Sequence, residues 1–151
     1  MRKKKSYEPI RTEIASLGTG AGIVETVKPG GLVAIGTKLD PSLTRSDSFI
    51  GSVIGKPDTL PENSLTANVE VNLFDSAVGT TEETKVKPIQ MGEALRVNIG
   101  TAPILSKVTK VKSNNIEIEF KRPVCVFEGS NIAISRRISE RWRLIGAGIV
   151  G

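Results

Sequence analysis

The stretch SRRISERWRLIG, residues 135–146, places Arg136, Arg137, Arg141, Arg143 and the sole tryptophan, Trp142, within twelve positions. Guanidinium groups hydrogen-bond carboxylates and phosphates in pairs of contacts and stack on aromatic rings. Three readings fit: a solvated hairpin tip, an RNA-facing patch or a subunit contact. With Ser139-Glu140 as a two-residue tip, Arg136 stands opposite Arg143 and Arg137 opposite Trp142. Alternation then gathers Arg136, Arg141 and Arg143 on one face. Like charges directly across a ladder repel, so the cluster calls for a counter-charge from outside, such as phosphate. Arg137 over Trp142 would be a cation–π pair of about 0.5–1 kcal/mol if exposed. The competing reading is a basic edge that discourages aggregation, with Trp142 plugging a barrel end.

Other chemistry finds no residues. The sequence has no histidine and one cysteine, so Ser-His and Cys-His arrangements and ordinary zinc sites are excluded. Cys125 lies in the apolar run PVCVF and reads as a small buried hydrophobe, because no neighbour in sequence would lower its pKa. GTGAG (18–22) looks phosphate-friendly, but no Gly-Lys-Ser/Thr follows it, and GKP at 55–57 puts proline where the magnesium-binding hydroxyl should be. GTGAG therefore reads as a hairpin turn. Glu82 and Glu83 read as a solvated loop, and Glu117 and Glu119 as the polar face of a strand. An enzymatic reading is left without an acid, base or nucleophile.

The elements that position the arginines are strands. ANVEVNLF (67–74), ALRVNIG (94–100) and IEIEF (116–120) alternate apolar and polar residues, the mark of half-buried antiparallel strands. Val69, Val71, Leu73, Leu95, Val97 and Ile99 face inward on this pattern. KPGG (28–31), GKPD (55–58), KSNN (112–115) and FEGSN (127–131) supply turns. Aromatics are 4% of the chain, so the core must be aliphatic, which favours strands. No amphipathic helix is evident, and SLTRSD (42–47) makes at most one short turn. Residues 64–151 hold about six strands, enough to close a small barrel. Residues 6–53 hold three or four: IRTEIASL, GIVETV, GLVAIGT and SFIGSVIG. That is too few to close, so unpaired edges are expected. IGKPDTLPEN (54–63) reads as the linker.

Charge points to a polyanion. The net charge is +5, with four positive residues in 1–5 and a net +4 in 121–151, leaving −3 for the middle. MRKKK runs into SYEPIRTE rather than an apolar leader, and no apolar run could span a bilayer. No membrane role and a cytoplasmic setting are expected.

Longer motifs resemble a known family. PGGLVAIGTKLDPSLTRSD (29–47), GSVIGKPDTLP (51–61) and RRISERWRLIGAGIV (136–150) resemble the gamma subunit of archaeal and eukaryotic translation initiation factor 2, a relative of elongation factor Tu. YEPIRTEIASLGTGAG (7–22) and KRPVCVFEGSNIAISRR (121–137) fit the same pattern, and the archaeal form is nearer. The resemblance covers all but the basic start. It implies an all-β chain of antiparallel barrels of the translation-GTPase type: a basic tail (1–5), the later half of a second barrel (6–61) and a complete C-terminal barrel (62–151). Family members deliver methionyl initiator tRNA to the small ribosomal subunit, with GTP and magnesium and with alpha and beta subunits.

No P-loop, DxxG or NKxD occurs in these 151 residues, so neither GTP hydrolysis nor a cofactor is carried over. What the resemblance implies here is binding. Leu32 and Val33 correspond to a strand near the aminoacylated acceptor end, although the elongation factor has a polar residue at Leu32; a plain strand core is the competing reading. Asp40, Pro41, Ser42 and Leu43 correspond to a contact with the alpha subunit. Arg136, Arg137, Arg141 and Arg143 become the RNA-facing set. Expected partners are initiator tRNA, small-subunit ribosomal RNA, the alpha subunit and a GTP-binding domain absent from this sequence. The alternative is a protein-interaction scaffold without direct RNA contact.

Overall fold

The computed structural model describes residues 7–80 and 83–151. The basic start at 1–5 and Glu82 lie outside them. The chain divides into two compact units, one running to Phe49 and the other from Ile50 to Gly151.

The first unit is a three-stranded antiparallel sheet of β1 (Ile14–Thr19), β2 (Gly22–Val24) and β3 (Ala34–Thr37), in the order β2-β1-β3. GTGAG turns the β1–β2 hairpin, with Thr19 opposite Gly22 and Gly22 at φ +109°, a conformation natural to glycine. Lys38 Nζ donates to Glu13 Oε2 at 2.7 Å beside a backbone bond from Lys38 N to Glu13 O. A kinked 3₁₀ segment, Pro41–Asp47, follows. None of the described residues of this unit is buried. SFIGSVIG forms turns and irregular chain rather than a fourth strand: its two glycines and two serines offer neither alternation nor a partner strand.

The second unit is a closed barrel of β4 (Asn63–Val78), β5 (Ala94–Ile99), β6 (Ala102–Lys112), β7 (Asn115–Cys125), β8 (Asn131–Ile138) and β9 (Arg141–Val150). The order around it is β4-β7-β6-β5-β8-β9. All pairings are antiparallel. The long β4 closes it by pairing β7 with its first half and β9 with its second.

Val69, Leu95, Val97, Ile104, Val108, Ile118, Ile134 and Ile145 fill the interior, and Phe120 is the core's one aromatic side chain among the described residues. Val69, Val71, Leu95, Val97 and Ile99 point inward as the alternation predicts, and Leu73 packs on the core part-buried. At Thr109 β6 bulges, and the Thr109 hydroxyl donates to Glu117 O at 3.1 Å, fastening β6 to β7 across the irregularity.

The glycines of GAGIV have a packing reason. A Cβ on Gly146 would stand 2.5 Å from Asn72 O and 3.0 Å from Leu73 Cα, and one on Gly148 would stand 2.4 Å from Val69 Cγ1. The β4–β9 seam closes only where β9 carries no side chain.

Candidate nucleic-acid interface

The β8–β9 hairpin carries the arginines. Arg136 is opposite Arg143, Arg137 opposite Trp142 and Ile138 opposite Arg141, the register a Ser139-Glu140 tip dictates. Both tip residues have positive φ, +48° and +69°. Hairpin twist demands this of a two-residue turn, and asparagine and glycine adopt it more cheaply.

Two expectations fail here. The guanidinium over Trp142 belongs to Arg96, 5.6 Å from the ring centroid, not to Arg137. Arg96 alternates with the buried Leu95 and Val97, so it lies on the barrel's outer wall, and half-buried Trp142 lies there with it rather than plugging an end. Arg96 Nε is buried without a hydrogen-bond partner, which leaves the ring face to offset part of its desolvation. Arg137 Nη2 instead donates to Glu140 Oε2 at 3.0 Å, with both side chains largely exposed. Such a pair is worth about 0–1 kcal/mol.

The second concerns counter-charge. Arg136 finds its own inside the chain: Nε donates to Glu93 Oε1, Nη2 to Glu93 Oε2 at 3.1 Å, Nη1 to Lys87 O at 2.8 Å and Nη2 to Pro88 O at 3.3 Å. Its side chain is only 17% exposed. The Arg136–Arg143 juxtaposition is thus relieved by Glu93, a residue no local pattern links to it. Arg141 is exposed, and half-buried Arg143 lies near Gly79, where a Cβ would meet its Nη1 at 3.0 Å. Neither has an acidic partner among the described residues.

In the first unit, Leu32 is 90% exposed and Val33 half-buried, both just before β3. A strand-core role for Leu32 is therefore overturned. Asp40, Pro41, Ser42 and Leu43 are all exposed. Asp40 Oδ1 accepts from Ser42 N at 2.8 Å, and this bond holds its carboxyl below the ordinary value. Cys125 is half-buried, its thiol pushed up by desolvation and its Sγ 3.8 Å from Pro61 O. Glu117 is held down by Lys110, whose Nζ donates at 2.8 Å, and by Thr109. No cluster of three or more metal-ligating side chains occurs among the described residues, and none of their helices is long and apolar enough to cross a membrane.

Comparison with known proteins gives this barrel its kin. Residues 65–150 match the family described as "Initiation factor eIF2 gamma, C terminal". The chain belongs to that family. It is 48% identical over 147 residues to the translation initiation factor 2 subunit gamma of Methanopyrus kandleri, 45% over 148 to that of Archaeoglobus fulgidus and 49% over 144 to that of Pyrococcus abyssi. These matches cover 97%, 98% and 95% of the chain but 35% of each relative. The match is thus to the family's C-terminal, non-catalytic barrel portion, and no GTPase signature stands in the 151 residues.

Proposed function

We propose that this chain supplies the RNA- and subunit-docking surfaces of an initiation factor 2 gamma subunit. In that setting it helps deliver methionyl initiator tRNA to the small ribosomal subunit in the cytoplasm, and GTP chemistry belongs to a separate domain. Its mechanism is positioning. Arg137, Arg141 and Arg143 hold phosphates, which give affinity without reading sequence. Arg136 supports them from behind.

The observation that carries this reading is Arg141 and Arg143, two residues apart on one strand and neither ion-paired to an acid among the described residues. The exposed Arg137–Glu140 pair exchanges readily for a phosphate. Leu32 and Val33 are proposed to lie toward the aminoacylated end of the tRNA, and Asp40–Leu43 toward the alpha subunit.

The test is a titration against initiator tRNA and a small-subunit ribosomal RNA fragment at several salt concentrations. Arg141→Ala with Arg143→Ala should weaken binding and reduce the slope of log K against log salt by about 1.5, two phosphates' worth. An unchanged slope would sink the reading.

A second reading is a protein-docking scaffold without RNA contact. The apolar surface of the first unit favours it: Leu32, Ile23, Ile10 and Ile14 are all more than half exposed. Association with the alpha subunit that survives high salt, beside no RNA binding at low salt, would select it.

A further inference from the structure

The connection from β4 to β5 looks in sequence like a solvated loop, but it is strapped down. Its described part is Gly79–Thr80 and Glu83–Glu93. The connection first folds back on the end of β4: Ala77 N donates to Thr84 O at 2.9 Å, Val86 N to Asp75 O at 3.0 Å, and Lys85 lies opposite Ser76. Val86 and buried Ile89 then pack on the core. At its far end Gly92 N donates to Val108 O, and Val108 N to Glu93 O.

Across the middle lies Arg136, whose guanidinium holds the Lys87 and Pro88 carbonyls and the Glu93 carboxylate at once. Glu93 Oε2 in turn accepts from Gln90 N at 3.0 Å. The arrangement fixes two more cations. Lys85 and Lys87 flank inward-packing Val86, both exposed and without an acidic partner among the described residues. The Lys87 carbonyl is bound by Arg136, directly across the ladder from Arg143. Among the described residues at this end, three carboxylates are engaged: Glu93 by Arg136, Glu83 by the Ser76 hydroxyl at 2.9 Å and Glu140 by Arg137. Asp75 is bound through its backbone carbonyl alone, and its carboxylate is the acid this face leaves open.

We propose that Lys85 and Lys87 form one phosphate-binding face with Arg141 and Arg143, and that Arg136 is the positioning residue that holds the two segments together. The occupant is the phosphate backbone of a structured RNA. The argument is charge complementarity: four cations on two segments bound to each other, with the one deeply engaged arginine used to join them. The inference rests on the RNA-binding reading above and extends it to a segment whose sequence gave no sign of a role.

The test uses the same ribosomal RNA fragment and the whole chain. Lys85→Ala with Lys87→Ala, both exposed and tolerant of substitution, should lower the salt slope by about 1.5, as Arg141→Ala with Arg143→Ala does. Arg136→Lys keeps the charge but cannot make the fork. It should lower the slope by the same amount, and adding it to the lysine pair should cost no further affinity.

Hydrogen exchange on Arg136→Lys should show lost protection at Gly92 and Val86. A slope that falls for the arginine pair but not for the lysine pair overturns this inference and leaves the RNA reading standing. A slope unmoved by either overturns both. Arg136→Lys that keeps full slope and adds to the lysine pair would make Arg136 a direct phosphate ligand, and the positioning role would fall.

Discussion

Ser139 and Glu140 show what a single backbone conformation costs. Each sits in the left-handed region, at roughly 1–2 kcal/mol for an ordinary L-residue. Ser139→Asn with Glu140→Gly supplies the residues this turn prefers, and removes only the exposed contact to Arg137. The double variant should be about 1 kcal/mol more stable in chemical denaturation, and a destabilised variant would show that the turn is held by more than its dihedrals. The same tip made the arginine register legible in the sequence, because a two-residue turn fixes every opposite pair after it. The partners were not legible. Glu93 lies 43 residues from Arg136 and Arg96 lies on another strand, so counter-ion and ring contact are tertiary facts with no local spacing to announce them. Glu93 reads as one more surface acid until β5 is seen beside β8.

At the scale of the element, the barrel strands announced themselves because each has a wet face and a dry one. β5 alternates throughout, and β4 and β7 alternate over residues 66–73 and 115–120; that period is the physical record of the pleat. SFIGSVIG looked like a strand on apolar content alone and is not one, which is what content without alternation is worth. The β4–β9 seam was also hidden, since its signal is missing side chains. Gly146→Ala would drive a Cβ into the Asn72 carbonyl and the Leu73 backbone, neither of which can swing aside as a side-chain tip could. It should cost about 1–3 kcal/mol and raise exchange at the amides of β4 and β9 before those of β5 and β6. Uniform loss of protection, or none, would show that the seam relaxes as a whole.

At the scale of the whole molecule, the two units differ in what can hold them. The barrel buries an aliphatic interior and leaves no edge unpaired, so its amides exchange only when the barrel opens. The sheet of β1–β3 has two short edges and no buried described residue, with Ile23 of β2 almost fully in water. Sheet hydrogen bonds alone do not offset the entropy of ordering a chain. Native-state exchange should therefore find the β1–β3 amides poorly protected in the chain as it stands. Those of Leu95, Val97, Ile118 and Ile134 should approach the global unfolding free energy. Equal protection in both units would mean that the first sheet draws stability from a surface beyond its own three strands. The apolar side chains of β1–β3 are too many for a solvated face and too thinly layered for a core. That imbalance sets the first sheet apart from the barrel, whose apolar side chains are layered into a closed interior.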